Sequence, residues 1–300
     1  MIGGATAGLL WPLNAALAQV KSDSSTMLMR AIPSTGEKLP IIGLGTWQAF
    51  DVDLTPEYRR QLGDVLALFV KLGGRVVDSS PMYGRAEEMI GELSHSLGLR
   101  DKLFLATKVW THGKQAGIDS MERSFTRFQT KEIDLMQVHN LVDVKTQLAT
   151  MRDWKAQGRF RYIGITHHDA EAFPAVEKML RSETLDFLQV NYSLIEREAE
   201  QRILLLAQDR QAAVIVNRPF GGGDLFGRVR AKPLPNWTAE FECQSWAQFF
   251  LKWVIAHPAV TCAIPATNKP THLEDNLKAG TGRLPDLKMR ERMVQTISSL

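Results

Sequence analysis

The stretch LFLATKVWTHGKQAGIDSMERSFTRFQTKEIDLMQVH, residues 103–139, contains one complete repeat of the pattern that organises the chain. LFLATKV (103–109) and IDLMQVH (133–139) are short runs, apolar on both parities, which is how strands buried on both faces read. Between them SMERSFTRFQ (120–129) has the periodicity of an amphipathic helix. Working outward, the strand pattern recurs upstream in IIGLG (41–45) and RVVDSS (75–80). Downstream it recurs in RYIGIT (161–166), DFLQVN (186–191), AVIVN (213–217) and VTCAIP (260–265). Helical periodicity fills the remaining gaps: PEYRRQLGDVLALFVKLG (56–73), AEEMIGELSHSLG (86–98), VKTQLATMRDWKAQG (144–158), AEAFPAVEKMLRS (170–182), EREAEQRILLLAQDR (196–210), SWAQFFLKWVIAHP (245–258) and LEDNLKAG (273–280).

Eight strand-then-helix units, uninterrupted by any linker-like shift in composition, predict an α/β chain folded as a single (β/α)8 TIM barrel. A doubly wound sheet with a second domain would need such a break. MLMRAIPSTGEKLP (27–40), with a turn at Ser34–Gly36, predicts a hairpin before the barrel, and PDLKMRERMVQTISSL (285–300) an extra C-terminal helix. The barrel domain is expected over 30–300.

The first twenty residues carry no charge and end their apolar part in Ala16-Leu17-Ala18, the small-x-small pattern of a cleavage site. An export signal over 1–18 and a Ser- and Asp-rich linker over 19–29 are expected, although the positive n-region of such a signal is missing. With a working signal the protein is periplasmic or secreted; otherwise it is cytoplasmic. Three glycines, Pro12 and Asn14 make this segment a poor membrane span, so no stable membrane insertion is expected.

Composition narrows the partners. Of 300 residues, 44% are hydrophobic and 23% charged, which excludes a disordered chain or a multi-span membrane protein. Lys+Arg of 36 against Asp+Glu of 33 leaves +3 with no basic run, so nucleic acid is not expected and a small molecule is. Cys243 and Cys262 are too isolated for a thiolate metal site or a redox pair and read as buried free thiols.

In such a barrel the chemistry gathers at the C-terminal ends of the strands. There the sequence places Asp78, with Tyr83 following it in SSPMYG (79–84), then Lys108 in ATKVW and His139 in DLMQVHN. Taken singly these read as a capping Asp, a packed Tyr, a solvated Lys and a core His. Projected from one face, they can protonate a carbonyl. A phenol of ordinary pKa, about 10, is a weak acid at neutral pH. An ammonium beside it is expected to lower that value, with Asp78 holding Lys108 charged and His139 orienting the carbonyl.

With GLGTW (43–47), the Asp-x4-Tyr-Gly spacing of Asp78, Tyr83 and Gly84, then ATKVW, DLMQVH, LQVNYS and IPATNKPTHLEDNL in this order, the chain resembles the aldo-keto reductases from about residue 38 to 280. The resemblance implies an NAD(P)H-dependent oxidoreductase that reduces an aldehyde or ketone to an alcohol without a metal, Tyr83 being the general acid. It implies NADPH as cofactor, or NADH in its place, and a small-molecule carbonyl as substrate. Gln189 would bond the nicotinamide carboxamide, with Gly45 and Thr46 alongside, and Trp47 and Trp110 would line the substrate entrance. Thr166 and His167 stand where the family has Ser-Asn, and Asn217 where many members stack a tyrosine on the nicotinamide. In the following RPFGGG, Pro219, Gly221, Gly222 and Gly223 would form a loop approaching the phosphates. Thr267, Asp275 and Asn276 keep the adenosine pattern, while Ala266 and His272 replace the usual basic partners of a 2′-phosphate, leaving Lys269 or Lys278 to supply charge.

A dinucleotide-binding regulatory subunit with little turnover is the alternative. Turnover of a generic aldehyde separates the two. A metal-dependent hydrolase fails on ligands: His167-His168 is the sole His pair, and adjacent strand residues are expected to point apart. Substrate, direction and oligomeric state are not encoded in any spacing.

Overall fold

Because successive residues of a strand face opposite sides, the apolar runs supply two separate cores, and that division builds the molecule. The computed structural model describes residues 26–300. The expected export signal and most of the linker lie outside the described residues. Eight parallel strands form one sheet: β3 (Leu44–Gly45), β4 (Val76–Asp78), β5 (Phe104–Val109), β6 (Ile133–His139), β7 (Phe160–Thr166), β8 (Phe187–Asn191), β9 (Ala213–Asn217) and β10 (Val260–Ala263). They lie in chain order, and parallel bridges Ile42–Ala263 and Gly45–Ala266 close the last strand onto the first. This is the expected (β/α)8 TIM barrel.

Inward-facing Val76, Phe104, Ala106, Leu135, Tyr162, Phe187, Ala213 and Ile215 fill the lower bore. The alternate residues, among them Leu105, Met136, Val138, Ile165, Val190 and Val216, pack outward in the larger core shared with the helices. The expected hairpin, β1 (Met29–Ala31) paired with β2 (Lys38–Pro40), plugs the bottom by adding Ile32 and Leu39 to the bore cluster. Continued toward the C-terminal ends, the same inward parity turns polar: Asp78, Lys108, Gln137, His139, Thr166, Gln189, Asn191 and Asn217. The bore is therefore dry and apolar below and polar above, and the polar end is where ligands enter in this architecture.

Some element bounds differ from the expected ones. The end of the linker is already structured: the Leu28 N–H donates to Gly280 O at 2.7 Å, Leu28 O accepts from the Ile41 N–H, and Met29 begins β1. The helix expected at 120–129 starts at Lys114 behind Gly113, whose φ is 85°; its exposed first residues carry little apolar periodicity. The helix expected at 273–280 starts at Pro270, where proline at the first position is pre-set for a helix. The helix expected over 196–210 is divided into Glu198–Gln201 and Ile203–Asp209 by non-helical Arg202. On the two sides of the break Glu200 accepts from Arg290 at 2.5 Å and Arg202 donates to Glu177 at 2.7 Å. The C-terminal helix forms as expected, over Leu287–Ser298. Both cysteines are free and buried, and burial pushes the Cys243 thiol up to about 12. No helix among the described residues is long and apolar enough to cross a membrane.

Candidate active site

The polar end of the bore opens into a cavity of about 590 Å³ whose wall includes Asp78, Tyr83, His139, Thr166, Gln189 and Asn217. Behind that wall Lys108 is sealed from solvent and donates at 2.6 Å both to Asp78 Oδ2 and to Ser79 O. The other carboxylate oxygen, Asp78 Oδ1, accepts from Gln189 Nε2 at 2.8 Å and from Gln137 Nε2 at 3.2 Å. Every oxygen of the buried carboxylate thus has a donor, the condition for keeping such a pair in a dry interior. The four residues read as catalytic are gathered here from four elements.

Tyr83 comes from the turn after β4, where its N–H donates to Ser80 O at 2.9 Å. The Lys108 ammonium lies 4.9 Å from the centre of the Tyr83 ring, and the His139 imidazole meets that ring edge-on with centres 6.1 Å apart. The expected lowering of the phenol's pKa is reversed. Burial, the largest influence, raises it; Lys108 pulls it down, but the Asp78 charge works against Lys108. Held against its own counter-ion, the lysine presents nearly a neutral pair to the phenol. Lys108 itself stays charged, since Asp78 and Tyr83 more than offset the effect of burial. Burial, with Lys108 and the two neighbouring histidines adding to it, pushes His139 down to about 3, so this imidazole is neutral at physiological pH.

The residues read as cofactor contacts divide. Gly45, Thr46, Thr166, Gln189, Asn217, Pro219, Gly222, Thr267 and His272 line the cavity, as do Gly223, Ala266 and Lys269. Gly221, His167, Asp275 and Asn276 are not part of its wall. Asp275 is committed elsewhere, its two oxygens accepting from Ser245 Oγ and Gln248 Nε2 at 2.7 Å each. Gln189 spends its amide inside the protein: Nε2 goes to Asp78, and Oε1 accepts from Thr166 at 3.2 Å and Asn217 at 3.4 Å. Asn217 Oδ1, by contrast, is buried with no partner, an acceptor on the cavity wall suited to a carboxamide NH2. The glycine turn has positive φ at 221, 222 and 223, but the Gly221 and Gly223 N–H groups are used within the turn, on Arg218 O and Phe220 O. Trp47 lies on the rim, 49% exposed, whereas Trp110 is exposed outside the cavity wall. His167 and His168 do not diverge: β7 ends at Thr166, and the two rings stack with 5.6 Å between centres and 7° between planes.

Sequence reasoning missed Gln137, Asn140, His168, Met82 and Arg218. Gln137 was readable as the inward residue two before His139. Arg218 was hidden by its neighbours: its guanidinium lies over Gly222, where an added Cβ would meet Nη2 at 3.1 Å, and it bonds Glu196 at 2.9 Å. A cation therefore stands at the wall where only backbone amides were expected.

The model of the Aldo/keto reductase family matches residues 41–292. The chain belongs to the aldo/keto reductase family. Among relatives, a methylglyoxal reductase of Escherichia coli (strain K12) is 30% identical over 258 residues, covering 83% of this chain and 89% of that one. An NADP-dependent D-sorbitol-6-phosphate dehydrogenase of Malus domestica is 24% identical over 299 residues, covering 86% and 90%. Among solved structures, an aldo-keto reductase from Klebsiella pneumoniae in complex with NADPH superposes with a TM-score of 0.75 at 26% identity, covering 90% of this chain and 96% of that one. For this aldo/keto reductase, then, the cavity at the polar end of the bore is the place to seek the chemistry.

Proposed function

We propose that this aldo/keto reductase reduces a small aldehyde or ketone to the alcohol, with Tyr83 as general acid and NADPH as the dinucleotide. The observation that carries the reading is the convergence of Tyr83 and neutral His139 on one cavity, backed by the sealed Asp78–Lys108 pair. Residues along the wall from Asn217 to His272 would hold NADPH, which when bound would supply the hydride. Asn217 Oδ1 would accept from its carboxamide, Arg218 beside the glycine turn would meet its phosphates, and Lys269 at the start of the helix Pro270–Lys278 would meet its 2′-phosphate. Tyr83 gives its proton to the carbonyl oxygen, and His139 holds that oxygen by a hydrogen bond. Because burial keeps the phenol protonated, the acid is present at every physiological pH, and Lys108 steadies the phenolate once the proton has left.

Tyr83→Phe tests this. Turnover, followed by NADPH oxidation with a panel of small carbonyls headed by methylglyoxal, is expected to fall by about 10²- to 10⁴-fold while dinucleotide affinity holds. Near-normal turnover in the variant overturns the assignment.

A further inference from the structure

A neutral imidazole has one N–H and one lone pair, and which nitrogen carries the proton decides whether it can hold a carbonyl oxygen or repels it. His139 Nδ1 lies 3.3 Å from Ser80 Oγ, and both residues are buried. The Ser80 hydroxyl has a second neighbour: Oγ accepts the Met82 N–H at 3.2 Å. A hydroxyl carries one proton. Oγ can accept twice, but its own proton must also find a partner: Ser80 is sealed from solvent, and His139 Nδ1 is the one acceptor its hydroxyl meets among the described residues, so the hydroxyl donates to Nδ1 and the imidazole proton sits on Nε2. His139 Nε2 makes no hydrogen bond among the described residues, and His139 lines the cavity.

We propose that Ser80 is a positioning residue that fixes His139 as the Nε2–H tautomer, so that the cavity presents two donors, the Tyr83 hydroxyl and His139 Nε2–H, to a single carbonyl oxygen. The inference rests on the proposed carbonyl reduction for its consequence, but not for the tautomer itself. With the proton on Nδ1 instead, a lone pair on Nε2 would face the carbonyl oxygen and weaken its binding where charge develops. Ser80 thus acts through His139 without touching the substrate. The arrangement depends on the tight turn after β4, which buries Ser80, brings the Met82 N–H onto Oγ and faces the hydroxyl to His139 Nδ1.

Nitrogen-resolved NMR of imidazole-labelled protein, with Ser80→Ala and Ser80→Thr beside the parent, tests this. The parent and Ser80→Thr are expected to carry the His139 proton on Nε2, and Ser80→Ala to become a mixture of tautomers. In the same set kcat/KM for reduction is expected to fall about 10- to 100-fold in Ser80→Ala, the range typical of a lost orienting partner, with recovery in Ser80→Thr. A parent with the proton on Nδ1 overturns the proposal, as does a Ser80→Ala protein whose tautomer and kcat/KM are unchanged. If Tyr83→Phe retains turnover while Ser80→Ala still shifts the tautomer, the reaction assignment fails and the role of Ser80 stands.

Discussion

Asp78 and Lys108 meet at 2.6 Å with both side chains sealed from solvent, and they do so from adjacent parallel strands at the boundary between the apolar and polar halves of the bore. The pair is a structural commitment as well as a chemical one. Lys108→Met leaves a buried carboxylate supported by two glutamine amides, and the expected loss of stability is about 3 to 5 kcal/mol. Urea denaturation measures it. Adding Asp78→Asn to that variant removes the orphaned charge and should restore part of the loss; a double variant no more stable than Lys108→Met shows the two charges to be uncoupled.

Activity should be insensitive to pH across the neutral range. The Tyr83 phenol is held above its ordinary value of about 10, and His139 is neutral down to about 3, so neither changes state between pH 6 and 9. Reductive kcat/KM is expected to be flat over that interval and to fall above about pH 10 as the acid is lost. An inflection near pH 8 that disappears in Tyr83→Phe would instead mean that the phenol is acidified, as the sequence alone suggests.

That contrast marks what was legible in the sequence. Strand and helix order could be read because burial on both faces leaves an unbroken apolar signature, and Asp78, Lys108 and His139 could be read because each ends such a run. The direction of the Tyr83 shift could not, because it depends first on how deeply the phenol is buried and then on how far Asp78 offsets Lys108, both matters of distance in the folded chain. The engagement of Gln189 with Asp78 and the withdrawal of Asp275 to Ser245 and Gln248 were hidden for the same reason. Each pairs residues far apart in sequence. The N-terminus of the helix at Lys114 was obscured by exposed residues, which carry no periodic signal.

Two buried imidazoles should make the fold acid-sensitive. His139 is pushed down to about 3, and His257 to about 4 by burial and the Arg290 charge, with His257 Nδ1 accepting the Ala259 N–H. In the unfolded chain both titrate near 6.5, so below that pH the unfolded state takes up protons that the native state does not. Stability is full above about 6.5 and declines as pH falls toward the native values, by about 2 kcal/mol per histidine between pH 7 and 5. His257→Asn keeps an acceptor for Ala259 and should remove roughly half of that slope in urea midpoints; an unchanged slope assigns the acid sensitivity elsewhere.

Gly84, next to Tyr83, has a φ of +53°, and a Cβ there would collide with the Asp51 carboxylate, whose Oδ1 accepts the Arg85 N–H at 3.1 Å. Gly84→Ala must displace Asp51 and accept a left-handed backbone, at a cost of about 1 to 2 kcal/mol. Since the displaced turn carries Tyr83, the proposed acid, kcat should fall by more than the small decrease in Tm would suggest. A variant with lowered Tm and unaltered kcat would uncouple the Asp51 contact from the placement of Tyr83.

The choice of dinucleotide is expected to turn on one lysine. NADPH differs from NADH by a 2′-phosphate, whose charge must be met by a cation when it leaves water. At the start of the helix Pro270–Lys278 the cavity wall offers Ala266, without charge, His272, and Lys269. Lys278, the other lysine nearby in sequence, is already paired with Glu274 at 3.0 Å. Lys269 makes no salt bridge among the described residues, and its N–H is fixed on Thr267 Oγ1 at 3.1 Å, which holds the backbone while leaving the ammonium free to swing. One flexible lysine acts as a point charge and lacks the bidentate grip of an arginine, so the expected preference for NADPH is about tenfold, near 1.4 kcal/mol. Lys269→Ala should lower NADPH affinity by about that factor and leave NADH affinity unchanged, as read by fluorescence titration. An equal loss for both dinucleotides would put Lys269 on the part they share, and an undiminished preference would move the phosphate to another cation.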